Sequence, residues 1–353
     1  MTTRNIKPIE PAALLDITKS PGAAYLVIDH QQILTETYAG ATDLATGSLV
    51  DQRTTFNAFS VTKTVTAAAA LKLCEQNKIL LSDPINPTLD EFHFRYPFTL
   101  QHLISHQAGF ADPIPISWIH LADEDADFDF KKFIAQTIDR HSRLMNRPGA
   151  KFRYSSVGYL MLSQIIEKIS GMPYDQYVLQ FVMPVLSDPE RLSYSIEDKG
   201  HHAVGYHPRY AISNLLLSIY LDKKKFVVGY QGKWMSFKNF YVNGKAYGGL
   251  IGNVRGLGRY LQSYLKNTLF SHQEMEQRMF TVQNGPMCLG WFSGILNEER
   301  YFCHAGGGGG YYCEIRIYPE IQLATAMMRN KSSFSDIRIL DQIDRKTIFQ
   351  NQK

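Results

Sequence analysis

The chain has 353 residues, 44% apolar, 20% charged and 12% aromatic, a balance that suits a folded globular enzyme and excludes a disordered or collagen-like chain. Its 37 basic and 33 acidic side chains leave a formal charge of +4, scattered except for Lys223-Lys224-Lys225, too little for a nucleic-acid footprint. Four cysteines (Cys74, Cys288, Cys303, Cys313) without C-x-x-C spacing exclude a disulfide framework and read as buried thiols, with a Cys303–Cys313 bridge as the alternative.

Residues 1–22 hold no continuous apolar segment, and no stretch elsewhere reaches the roughly 18 apolar residues that span a bilayer, so no membrane span and a cytoplasmic location are expected, with a periplasmic or secreted location as the alternative if a signal sequence has been removed. Residues 23–28 and 33–38 are short apolar runs around Asp29-His30-Gln31-Gln32, the pattern of a hairpin. From 61 to 77 the spacing becomes helical (Val61, Val65, Ala68, Leu71), and the small side chains of Ala67 to Ala70 suit a helix packed closely on all sides. Between about 82 and 230 the chain reads as helix and loop, punctuated by Asp83-Pro84, Arg147-Pro148-Gly149 and Asp188-Pro189, with no evident strand ladder. A helix over 254–266 leads into strands at 289–296, 300–304, 311–318 and 322–328, and a last helix is predicted over 335–349. Strands at both ends with helices between imply an α/β (α+β) fold. A discontinuous sheet domain, residues 1–82 and 231–353, would carry a helical domain, residues 83–230, with a ligand cleft at their junction.

Ser60-Val61-Thr62-Lys63 opens the buried helix, with the lysine one turn after the serine on the same face. Ser60 has an alternative use as an N-cap. Lys63 does not fit helix stability, because a first-turn cation opposes the helix dipole. Burial and dipole both disfavour its charged form, which would let the amine take a proton from Ser60, while the Ser60 N–H serves an oxyanion. Ser263-Tyr264-Leu265-Lys266 repeats the spacing at the end of a surface helix, where lysine favours the dipole and a structural role suffices. In Tyr154-Ser155-Ser156 either serine can cap the following helix, whereas Tyr154 is suited to shuttle a proton. His304-Ala305-Gly306-Gly307 lies between strands, which argues against a phosphate loop. A strand edge without side chains can pair with a substrate backbone, and the Gly307 N–H can complete an oxyanion hole.

These elements, together with Leu103-Ile104-Ser105-His106-Gln107-Ala108-Gly109, Val157-Gly158-Tyr159, Gly248-Gly249-Leu250 and Leu289-Gly290-Trp291, resemble the serine β-lactamase and penicillin-binding-protein-like hydrolases, in the branch of class C β-lactamases, D-aminopeptidases and esterases. The resemblance implies an antiparallel sheet flanked by helices with an inserted all-helical domain. It also implies Ser60 as nucleophile, Lys63 and Tyr154 as the general-base pair, and Ser156, His304, Ala305 and Gly306 as substrate-binding positions. Ser156 stands where the family usually has asparagine, and His304 where true β-lactamases have lysine, which argues against efficient β-lactam turnover. The expected substrate is a small ester, amide, peptide or β-lactam, and no cofactor is called for. A catalytically silent binding or scaffold protein of the same fold is the competing reading.

His201, His202 and His207 lack metal-site spacing, and Ser105-His106 reads as a structural turn near the cleft rather than part of a triad. Tyr206, Tyr210 and Trp234 are candidate cleft aromatics.

Overall fold

The computed structural model describes residues 6–113, 115–283, 285–332 and 338–350. A seven-stranded sheet organises the molecule. Its strands are β1 (Gly22–Asp29), β2 (Ile33–Asp43), β3 (Ser48–Leu49), β4 (Phe292–Leu296), β5 (Glu299–Gly308), β6 (Tyr311–Tyr318) and β7 (Leu323–Arg329), in the order β4-β5-β6-β7-β1-β2-β3. Every pairing is antiparallel, and β1 meets β7 in the register Ala23↔Arg329 to Asp29↔Leu323, which joins the two ends of the chain.

β1 reads as an unbroken apolar run because both of its faces are covered. Ala24, Leu26 and Ile28 enter the larger core with the helices α2 (Thr62–Glu75), α3 (Ser156–Ser170) and α4 (Val254–Leu265). Ala23, Tyr25 and Val27 point the other way, into a core shared with the terminal helices α1 (Pro11–Thr18) and α5 (Ile339–Thr347). The alanine run of α2 is buried throughout, and Gly290, at φ +84°, comes so close that a Cβ there would stand 2.4 Å from the Ala67 Cβ. Only glycine suits both the left-handed turn and that approach, and strand β4 starts after this turn, at Phe292 rather than the expected 289.

Under α5 the sheet carries a buried charge cluster. Arg316, fully buried, pairs with Glu314 at 2.6 Å and lies 3.7 Å from Asp344, while the hydroxyls of Tyr25 and Tyr318 donate to Asp344 at 2.9 and 2.7 Å. Burial pushes the Asp344 carboxyl up to about 6 against the pull of Arg316.

Several expectations need correction. The central segment is not purely helical: Ile119–Leu121 pairs with Phe240–Val242, and Tyr206–Pro208 and Val227–Gln231 flank Trp234–Phe237 in a three-stranded sheet. These strands are too short for alternation to stand out in sequence. The last helix starts at Ile339, and part of its predicted first turn, positions 335–337, lies outside the described residues. All four cysteines are free thiols; Cys303 opposes Arg316 and Cys313 opposes Gly306, so the two are out of register and belong to opposite faces of the sheet. Among the described residues no helix is long and apolar enough to cross a membrane.

Replacing Arg316 by methionine should destabilise the fold by about 3–5 kcal/mol, because Glu314 and Asp344 would be left without their buried counter-charge. Urea unfolding of the wild type and the variant measures this, and an unchanged midpoint would contradict the role given to the cluster.

Candidate active site

Ser60 sits in a single 3-10 turn, Phe59–Val61, that feeds directly into α2. The turn is held from outside. The Ala58 N–H donates to the Leu250 carbonyl at 2.8 Å, the Leu250 N–H to Thr62 Oγ1 at 3.0 Å, and Thr62 Oγ1 to the Phe59 carbonyl at 2.6 Å. Such bracing is needed because Phe59 is left-handed at φ +47°, an unfavourable conformation for a bulky residue that persists only where its surroundings enforce it. No side chain caps α2, so Ser60 is not its N-cap.

One turn on, the Lys63 Nζ lies 3.2 Å from Ser60 Oγ and donates to the Tyr247 carbonyl at 2.8 Å. Lys63 is fully buried, with the rings of Tyr154, Tyr247 and Tyr159 at 4.9, 5.3 and 5.5 Å from Nζ. Burial lowers its pKa from 10.5 to about 7, the negative charge of Asp112 pulling weakly the other way. A neutral amine can keep its donation to Tyr247 while its lone pair faces the Ser60 hydroxyl. Tyr154 completes the group through a hydrogen bond with Ser60, and burial keeps its phenol protonated.

Tyr154 is positioned by His106, which sequence reasoning assigned to a turn. His106 is itself left-handed (φ +57°), its carbonyl accepts from the Arg153 N–H at 2.7 Å, and its Nδ1 accepts from the Ser155 N–H at 3.0 Å. Its ring lies against that of Tyr154 with centroids 4.3 Å apart. The segment carrying Tyr154 is therefore fixed on both sides and across its ring. Ser155 caps α3 through the Gly158 N–H at 3.2 Å, and the Ser156 N–H donates to Asp112 at 2.8 Å. Ser156 is buried at the rim of a cavity beside Ser60.

Strand β4 pairs with β5 only as far as Cys303, so from His304 onward one edge of β5 is free of it. A Cβ on Gly306 would lie 2.3 Å from the Ala58 carbonyl oxygen and 2.5 Å from the Ser60 nitrogen, which shows how closely this strand approaches the nucleophile turn. At Gly307 a Cβ would meet only Tyr312 Cδ2 at 3.3 Å and the Tyr311 oxygen at 3.5 Å, so space is the constraint at 306 and not at 307. The Ala305 side chain packs toward the terminal-helix core on the far face. His304 is buried, bonded through Nδ1 to the Ala305 carbonyl at 2.9 Å, and lowered by burial to about 3. It is neutral at physiological pH and supplies no positive charge for a substrate carboxylate. The cavity wall includes Ser60, Ser156 and Gly307 but not His304, Ala305 or Gly306.

Other candidates lie elsewhere. Ser263 bonds its own helix at the Tyr260 carbonyl and Lys266 is exposed. His201 pairs with Asp198 at the surface, and His202 bonds Thr55 and Tyr311. Tyr206 is buried against Asp43, Tyr210 is exposed, and neither they nor Trp234 line the cavity, whose aromatic wall is Phe59, Phe237, Phe240 and Tyr247. Sequence reasoning missed Asp112, the Tyr247 carbonyl and the bracing by His106; the left-handed turn at His106 has no local sequence marker, and a backbone carbonyl has none at all.

Two outcomes follow from this geometry. The rate at which a fluorophosphonate labels Ser60 should rise with pH through a midpoint near 7, since below that value Lys63 is protonated and cannot take the serine proton; a flat profile from pH 5 to 9 would contradict it. Gly306→Ala should slow labelling about a hundred- to a thousand-fold by displacing the Ser60 turn, a loss comparable with that of one oxyanion donor, whereas Gly307→Ala should be far milder.

The beta-lactamase family matches residues 12–346. Among curated relatives, penicillin-binding protein 4* of Bacillus subtilis (strain 168) is 26% identical over 78% of this chain and 60% of its own length. Esterase EstB of Burkholderia gladioli is 28% identical over 43% of this chain and 42% of its own length. The chain thus spans about three fifths or less of these two relatives. Among solved structures, D-amino acid amidase from Ochrobactrum anthropi SV3 superposes with a TM-score of 0.76 at 15% identity, covering 95% of this chain and 97% of that one. Since the family match runs from within the first helix to within the last, the chain belongs to the beta-lactamase family.

Proposed function

We propose that this protein is a serine hydrolase that forms an acyl-enzyme on Ser60 from an ester or amide. The observation that carries this reading is the fully buried Lys63, its amine 3.2 Å from Ser60 Oγ and its pKa lowered to about 7. Esterase and amidase names among the relatives agree with it.

In the proposed cycle the neutral Lys63 amine takes the Ser60 proton as Oγ bonds to the substrate carbonyl carbon. The N–H groups of Ser60 and Gly307 stabilise the resulting oxyanion. The carbonyl re-forms as the bond to the leaving oxygen or nitrogen breaks, and the proton passes through Tyr154 to that atom. Water then attacks the ester carbon, its proton returns through the same pair to Ser60 Oγ, and the free acid departs. Asp112 holds the start of α3, and His106 positions Tyr154. The absence of a permanent cation at His304 favours substrates without a carboxylate at that end.

Intact mass after exposure to a fluorophosphonate and, separately, to a β-lactam tests the reading against Ser60→Ala. An adduct with the fluorophosphonate that disappears in Ser60→Ala is the expected result, with the β-lactam reacting slowly or not at all. A folded wild type that yields no adduct with either reagent would favour the silent scaffold instead.

A further inference from the structure

The cavity beside Ser60 is mostly apolar. It encloses about 170 Å³, and Ile116, Ile119, Leu217, Phe237, Phe240 and Val242 form much of its wall. Among the described residues that line it none is charged. Its polar side chains are largely engaged with protein partners: His207 bonds Ser332 at 2.8 Å and Ser213 at 3.0 Å, and the Tyr247 hydroxyl donates to the Trp118 carbonyl at 3.3 Å. With both ring nitrogens occupied and its pKa lowered by burial to about 4, His207 is neutral and has no hydrogen bond to offer a ligand.

The glycine run shapes this space. A Cβ on Gly308 would stand 2.8 Å from Phe59 Cε1, and one on Gly309, at φ +46°, would stand 2.2 Å from Phe240 Cζ. Glycine at both positions lets the two rings lie directly against the end of β5. The cavity therefore joins the nucleophile turn and the Gly307 backbone to a wall that is mostly aliphatic and aromatic.

Which half of a substrate fills it follows from the path of the proton. Tyr154 and Lys63 must reach the leaving atom, yet neither lines the cavity. The leaving group therefore lies on the Tyr154 side, and the chain on the other side of the carbonyl carbon runs into the apolar space. We infer that the preferred substrates are esters or amides of uncharged apolar carboxylic acids, with the acyl chain seated between Phe240, Ile119 and Leu217. This rests on the acyl-enzyme reading of Ser60. A carboxylate placed there would be buried without a partner, whereas each buried methylene should improve kcat/KM about four-fold until the cavity is full.

The test compares p-nitrophenyl esters from acetate to decanoate, p-nitrophenyl hemisuccinate, and acetate esters of alcohols of increasing length, with mass spectrometry of the acyl-enzyme on Ser60. The expected result is a kcat/KM that climbs with acyl length to a maximum, weak dependence on alcohol length and poor use of the hemisuccinate. Val242→Phe, which narrows the space, should move the maximum to shorter acyl chains. Acylation of Ser60 with no preference for acyl length, or a preference carried by the alcohol, would overturn this inference and leave the hydrolase reading intact. No acylation of Ser60 by any of these esters would overturn both.

Discussion

Everything at the proposed active centre depends on removing the Lys63 amine from water. A lysine in the first turn of a helix is unfavourable twice over, through the helix dipole and through desolvation. Here it is enclosed by three tyrosine rings and given one carbonyl to donate to, that of Tyr247. This environment gives a neutral amine one carbonyl acceptor without stabilising an ammonium strongly enough to restore the usual pKa. Among the described residues the countercharge acting on Lys63 is Asp112, which is engaged with the Ser156 N–H. In the proposed cycle this makes Lys63 a base matched to neutral pH, where proton transfer from a serine hydroxyl is most useful.

A second constraint is proximity. Strand β5 can lie beside the nucleophile turn only because position 306 carries no side chain, and the left-handed Phe59 is tolerable only because residues 58 to 62 are tied to Leu250. The seven-stranded sheet supplies the rigid edge, and the antiparallel pairing of β1 with β7 places both chain ends under it. Helix α2 and the segment leading into α3 then bring Lys63 and Tyr154 to that edge. The same glycine run that permits the approach lets the rings of Phe59 and Phe240 lie against the end of β5, where they form part of the apolar cavity wall.

Much of this was legible locally. The S-x-x-K spacing needs only helical periodicity to place Lys63 over Ser60, and β6 and β7 are long enough for their patterns to be read, whereas β5, expected to end at 304, runs on through the glycines to Gly308. What remained hidden was brought together by tertiary structure. Asp112 is an unremarked acid in a loop, the Tyr247 carbonyl is a backbone atom, and His106 acts through a left-handed turn that its residue type does not announce. The cavity wall joins residues 116–119 to 217–242, segments whose short strands escape a period-two reading. Tyr206, Tyr210 and Trp234, chosen from the same region because they are aromatic, do not line the cavity: Tyr206 is buried against Asp43, Tyr210 is exposed, and Trp234 is half-buried.

The most direct test of this account is the titration of Lys63 itself, followed by the nitrogen chemical shift of its ε-amine in lysine-labelled protein, with Lys63→Arg identifying the resonance. A midpoint near pH 7 is predicted. A midpoint close to the ordinary lysine value of about 10.4 would mean that the amine stays charged beside Ser60, and the proposed proton transfer would not stand.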